Sequence, residues 1–248
     1  MTLARRLLVP AALALAAACG RGGPEVAPRP ETLLNEARRE FRQGHFRQSL
    51  LLFQRLIFEL PPGHPDLPEV RYYLAESHFQ TGDRVQAASE FRRVADQHPA
   101  SPYAPLALLR AGDAHLRMWR RPELDPTPGQ TALAIYQELA GRYPGTDAAA
   151  RAQLHVRQLR EWFADKAYKN GMFYLRRKAY DSAIIYFKDV VANYPDTPRA
   201  PDALLRLVDT YRAIGYGEER EETCAHLRRF YPQAAGLAER CPAPSGAN

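Results

Sequence analysis

The sequence predicts an all-α protein, a superhelical solenoid of about five helix pairs. Three observations carry this. Past residue 31 the apolar residues recur at spacings of three and four, as in TLLNEARREF and SAIIYFKDVVANY, and no alternating strand pattern occurs. Five times such a stretch ends on an aromatic, Leu or His followed by proline: Leu60-Pro61, His98-Pro99, Tyr143-Pro144, Tyr194-Pro195 and Tyr231-Pro232. Proline stops a helix and restricts the residue before it. Counting back from those five prolines also brings residues of the same kind into register.

The chain opens with Arg5 and Arg6, an apolar run from Leu7 to Ala18, and then Cys19 and Gly20. The run is too short for a bilayer core, which needs about 20 residues. Residues 1–18 therefore read as a secretory signal peptide. A cysteine directly after small residues resembles the bacterial lipobox, which makes Cys19 the expected lipidation site. Ala16 stands where the lipobox favours leucine, and Ala16 with Ala18 also fits ordinary signal cleavage, leaving a free Cys19 as the other reading. Residues 19–30 (CGRGGPEVAPRP) are rich in Gly and Pro and read as a tether.

The repeats follow in order. Seventeen residues before each proline lies a turn position: Gly44, Gly82, Thr127, Lys178 and Gly215. Twelve before lies a small residue, Ser49, Ala87, Ala132 or Ala183, with Arg220 the exception. Eight before lie Phe53, Phe91, Tyr136, Phe187 and Cys224. Five before lie Leu56, Val94, Leu139, Val190 and Leu227. These three positions share one helical face, which packs on a preceding helix. Twenty-four before lie Ala37, Ala75 and Gly171, the small contact on the first helix of pairs one, two and four. This is the arrangement of tetratricopeptide repeats, whose helix pairs recur at about 34 residues. The proline steps here are 38, 45, 51 and 37, so insertions hide the period. The second step holds an extra loop, WRRPELDPTPGQ. The third holds a surplus of 17 residues, and Asp147 to Arg177 contains no proline, so a long or kinked helix is expected there.

Composition fits a folded soluble domain: 248 residues, 46% hydrophobic and 25% charged. A mean hydropathy of −0.45 argues against a polytopic membrane protein. The net charge is +6, with thirty Arg and four Lys, but the signs are mixed along the chain, so no nucleic-acid partner is expected. No metal, phosphate-loop or nucleophile motif occurs, and the seven histidines are scattered, so neither a cofactor nor an enzymatic activity is expected. The run Glu218, Glu219, Glu221 and Glu222 complements a helix start. Cys224 and Cys241 can pair in an oxidising compartment. The alternative is a buried Cys224 beside a free Cys241. Phe41, Tyr72, Phe79, Tyr168 and Met172 fall on first helices at positions that line a concave face, with Glu76 beside them. Core packing and a groove for a peptide with aromatic side chains are the two roles open to each.

The C-terminal half carries a more specific likeness. The segments ELDPTPGQTALAIYQELAGRYPGT and FYLRRKAYDSAIIYFKDVVANYPDTP are similar in order and spacing to the BamD family of outer-membrane lipoproteins, and the likeness includes the irregular 51-residue step. It extends over about residues 31–232. The resemblance implies a non-enzymatic scaffold, lipid-anchored to the outer membrane and facing the periplasm, that helps insert β-barrel proteins. It implies that residues 31–118 face nascent β-barrel substrates; repeat register makes Phe41, Tyr72, Glu76 and Phe79 the expected peptide contacts there. It implies that residues 119–232, from 147 onward above all, hold the POTRA region of BamA beside other Bam subunits. Tyr168, Met172, Arg176 and Arg177 are the expected BamA contacts, and residues 233–248 form a tail. The competing reading is another lipid-anchored periplasmic repeat adaptor, for cell division or envelope maintenance.

Overall fold

A computed structural model describes residues 29–120 and 125–242. The signal peptide, Cys19, nearly all of the tether and residues 243–248 lie outside the described residues. Ten helices form five consecutive antiparallel pairs: α1 (Pro30–Arg42) with α2 (Phe46–Glu59), α3 (Leu67–Thr81) with α4 (Arg84–Gln97), α5 (Tyr103–Met118) with α6 (Thr127–Arg142), α7 (Asp147–Arg176) with α8 (Tyr180–Asn193), and α9 (Arg199–Ile214) with α10 (Gly217–Phe230). A short α11 (Leu237–Arg240) follows within the expected tail. The described residues contain no strand. The all-α solenoid of five pairs is the architecture the sequence predicts.

The proline ruler locates the core. Ser49, Ala87, Ala132 and Ala183 have no exposed surface, and neither do Phe53, Phe91, Tyr136 and Phe187. Leu56, Val94, Leu139, Val190 and Leu227 are equally buried. Burying each large side chain contributes about 1.5–3 kcal/mol. The first helix answers with a small residue under the ring. A Cβ on Gly171 would come within 2.5 Å of the Phe187 ring, and one on Gly112 within 2.4 Å of the Tyr136 ring. Ala37 and Ala75 hold the same register in pairs one and two, fully buried. Gly112 escapes the fixed count back from proline because the loop before α6 adds residues between the helices.

The turns repeat as well. Gly44, Gly82 and Gly215 adopt left-handed φ angles, and so does Lys178 at 58°, the one non-glycine among the described residues to do so. In pairs one, two and four the left-handed residue and its successor close a Schellman motif, as where Gly44 N–H bonds to Phe41 O and His45 N–H to Glu40 O. Thr127 departs from its expected turn role. It starts α6, because the eight residues from Trp119 to Pro126 take over the connection. Two of the tyrosines before proline also tie neighbouring pairs together. Tyr143 Oη donates to Pro99 O at 3.1 Å and Tyr231 Oη to Pro195 O at 2.7 Å.

The 17 surplus residues do not form a separate helix. They lengthen α7 to 30 residues, about 45 Å at 1.5 Å per residue. Leu159 and Phe163 of α7 pack into the core shared with α3 to α6. Ala164 and Ala167, on its C-terminal half, pack into the core shared with α8 to α11. One helix therefore serves two successive packing layers.

The last pair has no ring at the large position. Cys224, 1% exposed, is bonded there to Cys241, 4% exposed, and the two sulfurs fill the slot that an aromatic fills elsewhere. Arg240 pairs with Asp209 at 3.1 Å, and Arg228 donates to the carbonyls of Cys241 and Pro242, holding the closing segment on α9 and α10. A cross-link spanning 17 residues stabilises by about 3 kcal/mol on loop-closure grounds. We predict that Cys241→Ser raises amide exchange in α10 and leaves α3 to α6 unchanged, measured by hydrogen–deuterium exchange. Equal protection of α10 in both proteins would contradict this.

Candidate functional site

The inner face of the superhelix follows from which helices touch. α1 meets α3, α3 meets α5, α5 meets α7 and α7 meets α9 at backbone distance, whereas no two second helices approach that closely among the described residues; α4 and α6 touch only through long side chains, Arg92 to Glu138 and Arg142 to Asp96 and the Ala95 carbonyl. First helices therefore crowd the inside of the curve and second helices fan out on the convex side.

Ion pairs cross this inner face from one first helix to the next. Arg38 of α1 grips Glu69 of α3 with two of its nitrogens, Nε and Nη2, at 2.6 and 2.7 Å. Arg110 of α5 grips Glu76 of α3 at 2.5 and 2.9 Å. Arg199 of α9 reaches Asp165 of α7 at 2.7 Å, and Arg206 donates to the Tyr168 hydroxyl at 3.3 Å. The α5–α7 junction is built differently. Trp119 meets Trp162 edge-on at 4.5 Å and stacks on Phe163 at 5.5 Å. The Trp119 indole N–H donates to Asp125 O at 2.8 Å, which holds the ring beneath α6.

Glu76 is 7% exposed, so its pairing matters. Burial opposes the charge on Arg110, but hydrogen bonds and the fields of Glu76 and Asp113 outweigh it and hold the guanidinium more firmly protonated than usual. Burial, with the charge of Glu76 behind it, pushes the Tyr72 hydroxyl well above the ordinary tyrosine range. Burial likewise raises Tyr103, beside Glu69, to about 12.

Arg110 gathers three of the four N-terminal site residues. Tyr72 Oη donates to Glu76 at 3.3 Å, and the Arg110 guanidinium lies 4.0 Å from the centre of the Phe79 ring. Phe41 belongs to a different cluster. Its ring meets Phe46 at 5.3 Å and Tyr73 at 5.0 Å, on the wall of an open groove of about 490 Å³ that Arg38, Arg42, Glu69 and Gln80 also line. Tyr73 links the two clusters, with Tyr72 5.4 Å away on its other side. Sequence reasoning missed Arg110 and Tyr73. The available signal was a lone arginine on a first-helix inner stripe.

The four C-terminal site residues are not brought together. The Tyr168 ring lies 4.9 Å under the Arg199 guanidinium and 5.7 Å from Phe187, on the inner face. Met172 packs against the C-terminal core. Arg176 and Arg177 are exposed at the α7–α8 turn, where the Arg177 guanidinium covers the exposed Phe173 ring at 3.5 Å. Among the described residues no group of three His, Cys, Asp or Glu is placed to hold a metal, and no helix is long and apolar enough to cross a membrane. The inner face offers rings, carboxylates and guanidinium groups, which is chemistry for holding a chain.

Removing the cation from a buried pair strands its carboxylate. Arg110→Met is expected to destabilise by about 2–3 kcal/mol. Arg39→Ala, which removes only exposed pairs with Glu36 and Glu40, is expected to cost less than about 0.5 kcal/mol. Urea melts of the two variants check this, and equal midpoints would refute the buried pairing.

Comparison with known proteins gives this geometry its relatives. A family model, YfiO, described as an outer membrane lipoprotein, matches residues 27–227. The outer membrane protein assembly factor BamD of Caulobacter vibrioides is 28% identical over 63% of this chain, which spans about half the length of that relative (51%). BamD of Vibrio cholerae is 25% identical over 86% of this chain and 92% of its own. A thermophilic TPR protein of Thermus thermophilus overlaps 86% of this chain and 97% of its own, at 20% identity and a TM-score of 0.39, too loosely to bear on the fold, which rests on the helix pairing itself. With the match running from the tether through four pairs and into the last helix of the fifth, the chain belongs to the YfiO family of outer membrane lipoproteins.

Proposed function

We propose that this chain is a non-catalytic scaffold subunit of an outer-membrane β-barrel assembly machinery. The observation that carries the reading is the family match over residues 27–227, together with relatives named as BamD assembly factors at 23–28% identity. In this reading Cys19 is acylated and holds the chain on the periplasmic side of the outer membrane. Residues 31–118 face incoming barrel proteins, and residues 147–232 hold the POTRA region of BamA beside the other Bam subunits.

Two features support that division. The groove beside Phe41 and Tyr73 is open, ring-walled and flanked by Arg38 and Arg42, which suits an extended segment with aromatic side chains. At the other end, Arg176, Arg177 and Phe173 stand exposed at one turn, a compact basic and aromatic patch suited to a folded partner.

Purification of the tagged mature protein from detergent-solubilised outer membranes tests the reading. A large barrel protein with periplasmic repeats is the expected partner. Arg176→Glu with Arg177→Glu is expected to lower its recovery roughly tenfold without changing the melting temperature. Recovery of a different envelope partner in its place would sink the reading.

A further inference from the structure

Helix α2 carries an apolar stripe that nothing in the fold uses. Its inner positions Ser49, Phe53 and Leu56 are buried against α1 and α3, as in every pair. On the opposite side Leu51 is 59% exposed and Phe58 is 84% exposed. Seven residues apart, they share one helical face about 10 Å apart along the axis. Phe58 is the most exposed of the large apolar side chains among the described residues. Around the two lie Arg47, Gln48, Gln54 and Arg55, all exposed, with Arg55 paired to Glu59 at 2.6 Å. An apolar line set among arginine and amide side chains, on a helix lying along a convex surface, has the composition of a helix that rests on a lipid surface.

The position of this stripe says which surface it meets. Arg29 and Pro30, where the described chain begins, share a groove with Leu56, Leu60 and Pro61 at the C-terminal end of α2. Phe58, between Leu56 and Leu60 in sequence, therefore lies at the same end of α2 as the point where the tether enters, on the outer side of the helix. Ten peptide steps separate Cys19 from Arg29, a reach of at most about 35 Å. Residues 20–28 (GRGGPEVAP) supply only Val26 and two prolines as aliphatic side chains larger than alanine, too little to cover both Leu51 and Phe58.

We infer that the outer face of α2 docks on the bilayer, with Phe58 and Leu51 entering the headgroup boundary and the flanking arginines meeting lipid phosphates. This rests on the reading of Cys19 as an acyl anchor, and adds that the first repeat lies on the membrane as well as being tied to it. The docking fixes which end of the superhelix faces lipid and leaves the inner face turned toward the periplasm.

The test uses the mature chain with Cys19→Ser, so that no acyl group contributes, and vesicles of phosphatidylethanolamine and phosphatidylglycerol. Flotation is expected to recover this chain with the vesicles. Leu51→Ser with Phe58→Ser is expected to reduce recovery roughly tenfold or more, and Phe58→Trp to preserve it, since tryptophan favours the interface. All these side chains are exposed, so melting curves should coincide. Equal flotation of the parent and the double variant, or no flotation of the parent, overturns the proposal. So does a dimer, seen by sedimentation, that the double variant abolishes without any change in flotation, because the stripe then joins two copies. Acylation of Cys19, read from the mass of the N-terminal peptide, and partner recovery are separate measurements, so failure of the anchored-scaffold reading would be seen independently.

Discussion

Four of the five helix pairs depend on one contact: a residue with almost no side chain on the first helix lies under a ring on the second. Gly171 beneath Phe187 and Gly112 beneath Tyr136 show it most closely, with no room for a Cβ. The contact sets how near the two helices approach, and that distance places the aliphatic residues three positions beyond the ring in the same dry layer. Stacking such pairs buries a continuous core that no single pair could bury alone. The last pair departs from the rule and is closed by other means, with the Cys224–Cys241 bridge in the place of a ring.

The inner face depends on that approach. First helices lie close enough for Arg38 to reach Glu69, Arg110 to reach Glu76 and Arg199 to reach Asp165. These pairs hold neighbouring layers in register while keeping the lining polar. At the α5–α7 junction the Trp119, Trp162 and Phe163 cluster replaces the ionic link, just where α7 runs on from one core into the next. The long helix joins the half that carries the Phe41 groove to the half that carries the Arg177 patch.

Much of this was legible in the sequence because it repeats. Five prolines aligned Ser49 with Ala183, Phe53 with Phe187 and Leu56 with Val190, and all six are buried. The 30-residue α7 was legible from a span without proline. Gly112 was not, since a loop of irregular length breaks the count between it and its proline, and Thr127 was not, since that same loop precedes it and takes over the turn. Arg110 was not, because its partner Glu76 lies 34 residues away and their meeting depends on the curvature of the stack. The role of Tyr73 was hidden for the same reason: adjacent to Tyr72 in sequence, it shows its link to Phe41 only once α1 and α3 are packed. Local pattern gives the pairs, and contacts between pairs need the superhelix.

The most direct test of this account is the thermal melting of Gly171→Ala beside that of Gly141→Ala. Both substitutions replace a helical glycine and gain up to about 1 kcal/mol of helix propensity. At Gly141 nothing lies within 4 Å of the new methyl group, so that variant should melt at or above the parent. At Gly171 the methyl group meets the buried Phe187 ring at 2.5 Å, and overpacking of about 1–3 kcal/mol outweighs the gain. Gly171→Ala should therefore melt below the parent. A Gly171→Ala protein that melts at or above the parent would contradict the claim that close approach under the ring sets the geometry of the array.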